Sequence, residues 1–196
     1  MKPPPLPLGA WAIVALLCEE DAHGWRLVRA LAPDGEVGRV WSIRRAVVYR
    51  TLEQVIDAGL AQRAGVEPGS RGSPRTLLRP SRSGRQAVAR WLAEPVEHVR
   101  DLRSELLLKL LFTERAGGDP TPLLRAQQAL LTETVAALET GPGDGQPFDA
   151  TLRAFRSETA SAGLRFVERE LGGRGGRPAR TSPPSGAPAV PASPAS

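Results

Sequence analysis

Cysteine is nearly absent from this chain of 196 residues, which has one, Cys18. A single cysteine excludes an intramolecular disulfide and any metal site built from a cluster of cysteines. Aromatic residues make up only 5% of the sequence, and almost all of its 26 basic residues are arginines. The 41% of hydrophobic residues is nevertheless enough for a buried core in one domain or in two small ones.

Long hydrophobic runs are lacking too, since none approaches the ~20 apolar residues that a membrane-spanning helix needs. The run LPLGAWAIVALLC at residues 6–18 imitates a signal peptide that ends in a lipoprotein cysteine. A lipoprotein site needs a small residue directly before the cysteine, whereas Leu17 stands there, and three acids follow at once. We therefore expect a cytoplasmic protein that makes no contact with a membrane.

Motifs for catalysis are also missing. His23 is interpreted as a turn or helix-start residue, not as a ligand or a base. The serines between residues 70 and 83 have no histidine and aspartate at a suggestive spacing, and GSRGSP lacks the Gly-Lys-Ser/Thr ending of a phosphate-binding loop. The sequence predicts no enzyme, no metal site and no cofactor.

Positive charge is concentrated in one part of the chain. Residues 39–90 contain eleven arginines and only three acids, whereas residues 96–171 contain more acids than bases. A cluster of this kind produces a positive field that attracts phosphate backbones or anionic lipid. Arginine-rich genomes place arginine on many ordinary surfaces, so the cluster needs a structural context before it indicates a partner.

The order of the predicted elements supplies that context. Apolar residues predict a buried helix from Leu8 to about Glu19, a short second helix over HGWRLVRALA, and a third helix over residues 44–58. In the third helix, the predicted core positions follow helical spacing and are Val48, Leu52, Val55 and Ile56. Two extended runs, at about 61–66 and 75–79, flank a loop of Pro, Gly, Ser and Arg. Three helices followed by such a hairpin predict a winged helix-turn-helix with a two-stranded wing, in a mainly α protein.

The second half of the chain is predicted to be entirely helical. An apolar stripe in RDLRSELLLKLLFTE is more than one short helical pair can cover, so its members are predicted to form a homodimer contact. They are Leu102, Leu106, Leu107, Leu110 and Leu111. Apolar residues then recur at alternating spacings of three and four between residues 124 and 166, as in helices that pack lengthwise within a bundle or between chains.

Four segments are predicted. A leader covers residues 1–7, and the winged helix-turn-helix with its following helix covers 8–95. A helical dimerisation domain covers 96–171. Residues 172–196, rich in Pro, Gly, Ala and Ser, are predicted to be a disordered tail because they cannot bury enough apolar surface to offset the entropy of ordering.

Several stretches resemble the PadR-type bacterial transcriptional regulators, in their long form with an additional C-terminal helical domain. They are AHGWRLVRAL, WSIRRAVVYRTLEQVIDAGL, RGSPRTLLRPSRSGRQAV and RDLRSELLLKLLF. The resemblance runs from about Leu8 to Leu171, in the family's order and spacing. It departs from the family at Val47, where a small polar residue is usual, and at Arg44 and Arg45, where Ser-Pro is common.

The resemblance implies that the helix over 44–58 enters the major groove of DNA, that the wing touches the flanking backbone, and that the later helices form the dimer. In that setting Arg45 and Arg50 are predicted to read guanine edges, and Val47 a thymine methyl. The wing arginines Arg71 and Arg75, with Tyr49, are predicted to hold phosphates. The predicted DNA-binding residues are Ser42, Arg44, Arg45, Val47, Tyr49, Arg50, Gln54, Arg71 and Arg75.

The sequence therefore predicts a sequence-specific regulator, with repression as the expected outcome, that binds double-stranded DNA as a homodimer on a near-palindromic operator. The alternative is a winged helix that binds another protein as an adaptor. Some members of the family bind flat aromatic ligands at the dimer interface, but no residue here marks a pocket, and a small-molecule inducer remains an open question.

Overall fold

The structure, a computed structural model, describes residues 6–67, 75–140 and 147–174. Its N-terminal part consists of four helices and three short strands. In chain order they are α1 (Leu8–Glu19), β1 (Ala22–His23), α2 (Gly24–Ala30), α3 (Arg45–Asp57), β2 (Ala61–Glu67), β3 (Arg75–Pro80) and α4 (Arg82–Ala93). We call this part the head.

Helix α1 is the centre of the head. Its residues from Gly9 to Leu17 are all buried, because α3, α4 and β3 pack around it. A helix that is apolar on every side can only be stable when it is covered on every side. The expectation of a helix buried over most of its circumference is confirmed.

Helix α3 begins and ends as the sequence predicts. Arg44 is its N-cap, and Gly59 follows its C-terminus with a φ of 68°, a left-handed conformation that glycine adopts without a steric cost. Val48, Leu52 and Val55 are buried in the core of the head, and Ile56 is partly buried against it. These buried positions determine which side of α3 faces away from the core.

The wing is a three-stranded antiparallel sheet in the order β1-β3-β2, one strand more than the predicted hairpin. Strands β2 and β3 confirm the two predicted extended runs, with a register shift between Arg63 and Gly65. The additional strand is only two residues long, Ala22 and His23, and it pairs with Leu78 and Leu77 of β3. Such a short strand leaves no periodic pattern in the sequence, because its pairing with β3 is purely tertiary. The tip of the wing, including Arg71, lies outside the described residues.

The regular elements of the C-terminal part are all helices in the described residues. After α4, a short 3-10 helix (Val99–Asp101) and one turn of π-helix (Leu102–Leu106) lead into α5 (Leu107–Arg115), α6 (Thr121–Thr140) and α7 (Pro147–Arg174). Helices α6 and α7 pack against each other. Helix α7 continues through residues 172–174, which had been predicted to begin the tail, and Arg174 forms ion pairs with Glu114 and Glu170.

Helix α5 contributes to two hydrophobic cores. Leu108 and Phe112 belong to the core of the head, whereas Leu106, just before α5, and Leu110 belong to a second core with α6 and α7. Leu106 is 1% exposed and Leu110 is 7% exposed. The prediction that these two leucines need a second chain to cover them is therefore wrong, because the chain's own helices cover them.

An exposed cluster of ion pairs also fastens α5 to the head. The Arg115 guanidinium donates to the carboxylates of Glu19, at the end of α1, and of Glu36, with distances of 2.7–2.8 Å. Its hydrogen bond lowers the pKa of the Glu36 carboxyl.

No helix among the described residues combines the length and the apolar character needed to cross a bilayer.

Candidate nucleic-acid interface

The exposed face of α3 carries most of the residues that the sequence predicted for DNA contact. Since the core stripe holds the opposite face, these side chains point into solvent. The exposed ones are Ser42, Arg44, Arg45, Tyr49, Arg50 and Gln54, and Val47 is half-buried among them. Six of the nine predicted residues thus share one exposed surface at the front and outer side of the helix, and Val47 lies at its border.

The three arginines of this surface are unpaired with any acid that the structure describes. No acid in the described part of the chain forms an ion pair with Arg44, Arg45 or Arg50, so their guanidinium groups keep donors for an external acceptor. Arg45 instead lies over the Tyr49 ring, 5.8 Å from its centroid, which holds both side chains at the front of the helix.

Charge is neutralised in the C-terminal half of α3, in contrast to its N-terminal end. Glu53 accepts from Arg63 of β2 at 2.7 Å, and both side chains are exposed. The chain therefore cancels one arginine charge where α3 meets the wing and leaves the charges at the N-terminal end uncancelled. An ordinary solvated helix face has no reason to be divided in this way.

Tyr49 also marks a close approach between α2 and α3. A Cβ atom placed on Gly24 would lie 2.8 Å from Tyr49 Cε1, closer than real Cβ contacts, so only glycine fits beside the ring without a shift. The tyrosine is 38% exposed and therefore reaches the surface while one edge rests on the start of α2. This contact fixes the angle between α2 and α3.

His23 ties the wing together. Its Nδ1 lies 3.1 Å from the Thr76 carbonyl oxygen of β3, and its Nε2 lies 3.0 Å from Glu67 Oε2 of β2. The residue also precedes the first turn of α2 as its N-cap. It does start a helix, as predicted, but it additionally joins all three strands, a role that no sequence pattern indicates.

Trp25 of α2 lies at the surface, where it is 43% exposed. The guanidinium groups of Arg29 and Arg75 lie 6.0 and 5.9 Å from its ring centroid. Arg75, the predicted phosphate contact of the wing that the structure describes, is thus held at the start of β3 by an aromatic ring.

A second surface lies on the C-terminal helices. An open groove of about 920 Å³ runs between the start of the π-helical turn and helices α6 and α7. Its apolar lining includes Leu102 and Leu107, both predicted for dimerisation, whereas Leu111 packs partly against the core of the head. Phe155 of α7 also lines the groove and is 69% exposed, and Phe148, about two turns earlier on α7, is 68% exposed.

The predicted stripe between residues 124 and 166 is placed differently on α6 and on α7. On α6, Leu124, Gln127 and Leu131 are buried against the chain itself. On α7 the buried residues are Ala160 and Val167, which do not belong to the predicted stripe. The stripe's phenylalanines instead face the groove or solvent.

Among the described residues, no group of three or more His, Cys, Asp or Glu side chains is placed to hold a metal ion.

Comparison with known proteins found relatives but no family model that matches. The chain is 29% identical over 139 residues to the probable transcriptional regulator Rv1176c of Mycobacterium tuberculosis, covering 67% of this chain and 72% of that protein. Among solved structures it is similar to Bacillus subtilis PadR in complex with operator DNA (17% identity, TM-score 0.43, 83% and 97% of the two chains covered). It is also similar to the PadR-like transcriptional regulator BC1756 from Bacillus cereus (15% identity, TM-score 0.34, 84% and 96% covered).

Proposed function

We propose that this chain is a PadR-type transcriptional regulator that binds double-stranded DNA as a homodimer and represses from a near-palindromic operator. The observation that carries the proposal is a group of exposed arginines at the front of the third helix of a winged helix-turn-helix, Arg44, Arg45 and Arg50, with which no acid of the described residues pairs. The motifs that resemble PadR regulators, and the similarity to a probable transcriptional regulator, support the same function.

In this proposal, α3 lies in the major groove, where it reads base edges. Arg45 and Arg50 each offer a planar guanidinium that fits the O6 and N7 acceptors of guanine, and Val47 offers a methyl surface to thymine. Ser42 and Arg44 lie at the end of the helix that meets the phosphates, and Gln54 lies about three turns further along.

The wing positions the protein on the backbone. Arg75, held over Trp25, and Tyr49 supply phosphate contacts, which fix register without reading sequence. Arg71 at the wing tip is proposed for the same role on the grounds of its sequence position. Each phosphate contact releases counterions, so binding should weaken steeply as salt rises, by about −0.9 in log affinity per log salt for each contact.

The homodimer is proposed to form through the groove of the C-terminal helices. Leu102, Leu107 and Phe155 line it, and Phe155 has two thirds of its surface in solvent, as does Phe148 at the start of the same helix. Monomeric proteins rarely leave a contiguous apolar patch of this kind uncovered. A two-fold dimer would present its α3 helices to half-sites one helical turn (~34 Å) apart, or a multiple of that.

The test compares Arg50→Ala with Arg165→Ala, an equal loss of charge at an exposed position of α7, outside the head. A preferred duplex is first selected from a random pool, and binding is then measured on that duplex and on random DNA. Arg50→Ala should lose about 1–3 kcal/mol per half-site on the selected duplex and relax one base position, with a smaller loss on random DNA. Arg165→Ala should change neither.

Two outcomes would contradict the proposal. Equal losses on selected and random DNA would mean that the arginines form only a non-specific anchor. No selection at all, with salt-insensitive or undetectable DNA binding, would favour the protein-binding adaptor instead.

A further inference from the structure

Lys109 is buried in the leucine-rich helix α5, where it is 2% exposed. Lysine is almost never fully buried unless it is paired. Its Nζ donates to the carbonyl oxygen of Glu94, the residue that ends α4, at 2.8 Å, and forms an ion pair with Glu105 Oε1 at 2.9 Å. DNA binding as proposed above gives no role to this ion pair, whose lysine is buried and whose glutamate is 28% exposed.

Trp91 of α4 connects this pair to the centre of the head. Its indole Nε1 donates to the same oxygen, Glu105 Oε1, at 2.9 Å, and Lys109 Nζ lies 5.4 Å from its ring centroid. The ring also stacks on Trp11 of α1, with centroids 5.6 Å apart and planes 6° from parallel. A continuous set of contacts thus runs from α1 through α4 to α5.

The segment after α4, which leads out of the head, is also held by α6. Gln127 of α6, 1% exposed, accepts from the Val96 backbone N–H at 2.7 Å and donates to the Val96 carbonyl oxygen at 3.0 Å. Backbone groups on either side of Pro95 are therefore bound by two different helices, Glu94 by α5 and Val96 by α6. We call Trp91, Glu105, Lys109 and Gln127, with these backbone groups, the joint.

We propose that the joint fixes the orientation of the DNA-reading head relative to the dimer-forming helices, and that Lys109, Glu105 and Gln127 are positioning residues for DNA binding. This inference rests on the proposed function. Replacing a buried ion pair by uncharged groups is often nearly neutral for stability, because desolvation offsets the attraction, so stability alone does not require the pair here. Hydrogen bonds are directional, and all of these can be made in only one arrangement of the two parts.

A fixed orientation has a measurable consequence for the operator. In a dimer it holds the two α3 helices at one separation and one angle. A single base pair added between half-sites moves one of them by about 3.4 Å and turns it by roughly 34° around the DNA axis. A rigid joint cannot follow that displacement, whereas a loosened one can.

The experiment uses the full chain and the double variant Lys109→Met/Glu105→Gln, which removes the ion pair but keeps an amide oxygen that can accept from Trp91. The matched control is Arg26→Met/Glu20→Gln, which removes an exposed ion pair within the head. Duplexes carry two copies of the selected half-site at spacings that vary by one base pair, and single half-site and random duplexes are included.

The wild type and the control should bind best at one spacing and lose about tenfold or more when one base pair is added or removed. The double variant should keep its affinity for a single half-site, bind the best spacing more weakly, and vary by less than about threefold across neighbouring spacings. Gln127→Met should broaden the spacing profile in the same way, because it removes hydrogen bonds to the Val96 backbone.

Melting curves of all variants are recorded first. A double variant with the wild-type spacing profile would overturn the inference, and so would one that no longer folds, since the pair would then serve stability. A wild type that prefers no spacing, or that does not bind paired half-sites better than one, would instead overturn the proposed dimeric function.

Discussion

The sharpest prediction separates two side chains that a sequence-based reading would treat alike. Phe155 of α7 is 69% exposed in the single chain. A phenylalanine side chain offers on the order of 200 Å² for burial, so roughly 140 Å² of it is left for a partner. At ~25 cal/mol/Å², covering that area would stabilise the dimer by up to about 3.5 kcal/mol per chain, and a two-fold interface contains the ring twice.

Phe155→Ala should therefore weaken dimerisation without weakening the fold. Ordering and imperfect packing reduce the gain from burial, so we expect the dimer dissociation constant to rise by at least about 100-fold, which is about 2.7 kcal/mol. The melting curve of the monomer should stay nearly unchanged, because surface substitutions usually alter stability by no more than about 0.5 kcal/mol. Sedimentation equilibrium across a dilution series measures the first quantity and denaturant unfolding the second.

Leu106→Ala is the contrasting variant. Leu106 is 1% exposed in the second core, so its truncation should cost about 2–5 kcal/mol of unfolding free energy in the monomer itself. The reasoning is refuted if the wild type remains monomeric at high micromolar concentration. It is equally refuted if Phe155→Ala and Leu106→Ala change dimerisation and folding in the same proportion.

Two further predictions concern the fold. Gly84→Ala should lower the unfolding free energy by at least about 2 kcal/mol, because its Cβ would lie 2.0 Å from the Leu60 carbonyl oxygen; Gly65→Ala, with nothing within 4 Å, is the control in the same denaturant titration. Deleting residues 175–196 should leave the melting temperature unchanged, because their composition offers little apolar surface for packing. A fall of several degrees would contradict that expectation.

The sequence predicts the head well because its signals are local. The buried stripe of α3 depends on helical spacing, and the end of α3 depends on Gly59, so both can be read from neighbouring residues. Once that stripe is known, the outward direction of Arg45 and Arg50 follows from geometry. Their freedom from acidic partners follows in part from the scarcity of acids between residues 39 and 90.

The C-terminal helices were harder to predict, because several apolar faces compete there. Leu106 and Phe155 both lie on helically spaced stripes, yet the chain buries the first and exposes the second. Only the packing of α5, α6 and α7 decides between them. Lys109 interrupts a run of leucines and gives no sign in the sequence that it is buried, because its partners Glu94 and Trp91 come from another helix.

The division of α5 between two cores also bears on how such a chain can evolve. Leu108 and Phe112 complete the core of the head, although they come after the link at Val96. A recombination event that exchanged heads at that link would place a foreign head against the old α5, with two side chains shaped for a different cavity. An exchange that also carried α5 would instead leave α6 and α7 without Leu110. Head and dimerisation helices are therefore expected to be inherited together, with new operator preferences arising by substitution on α3.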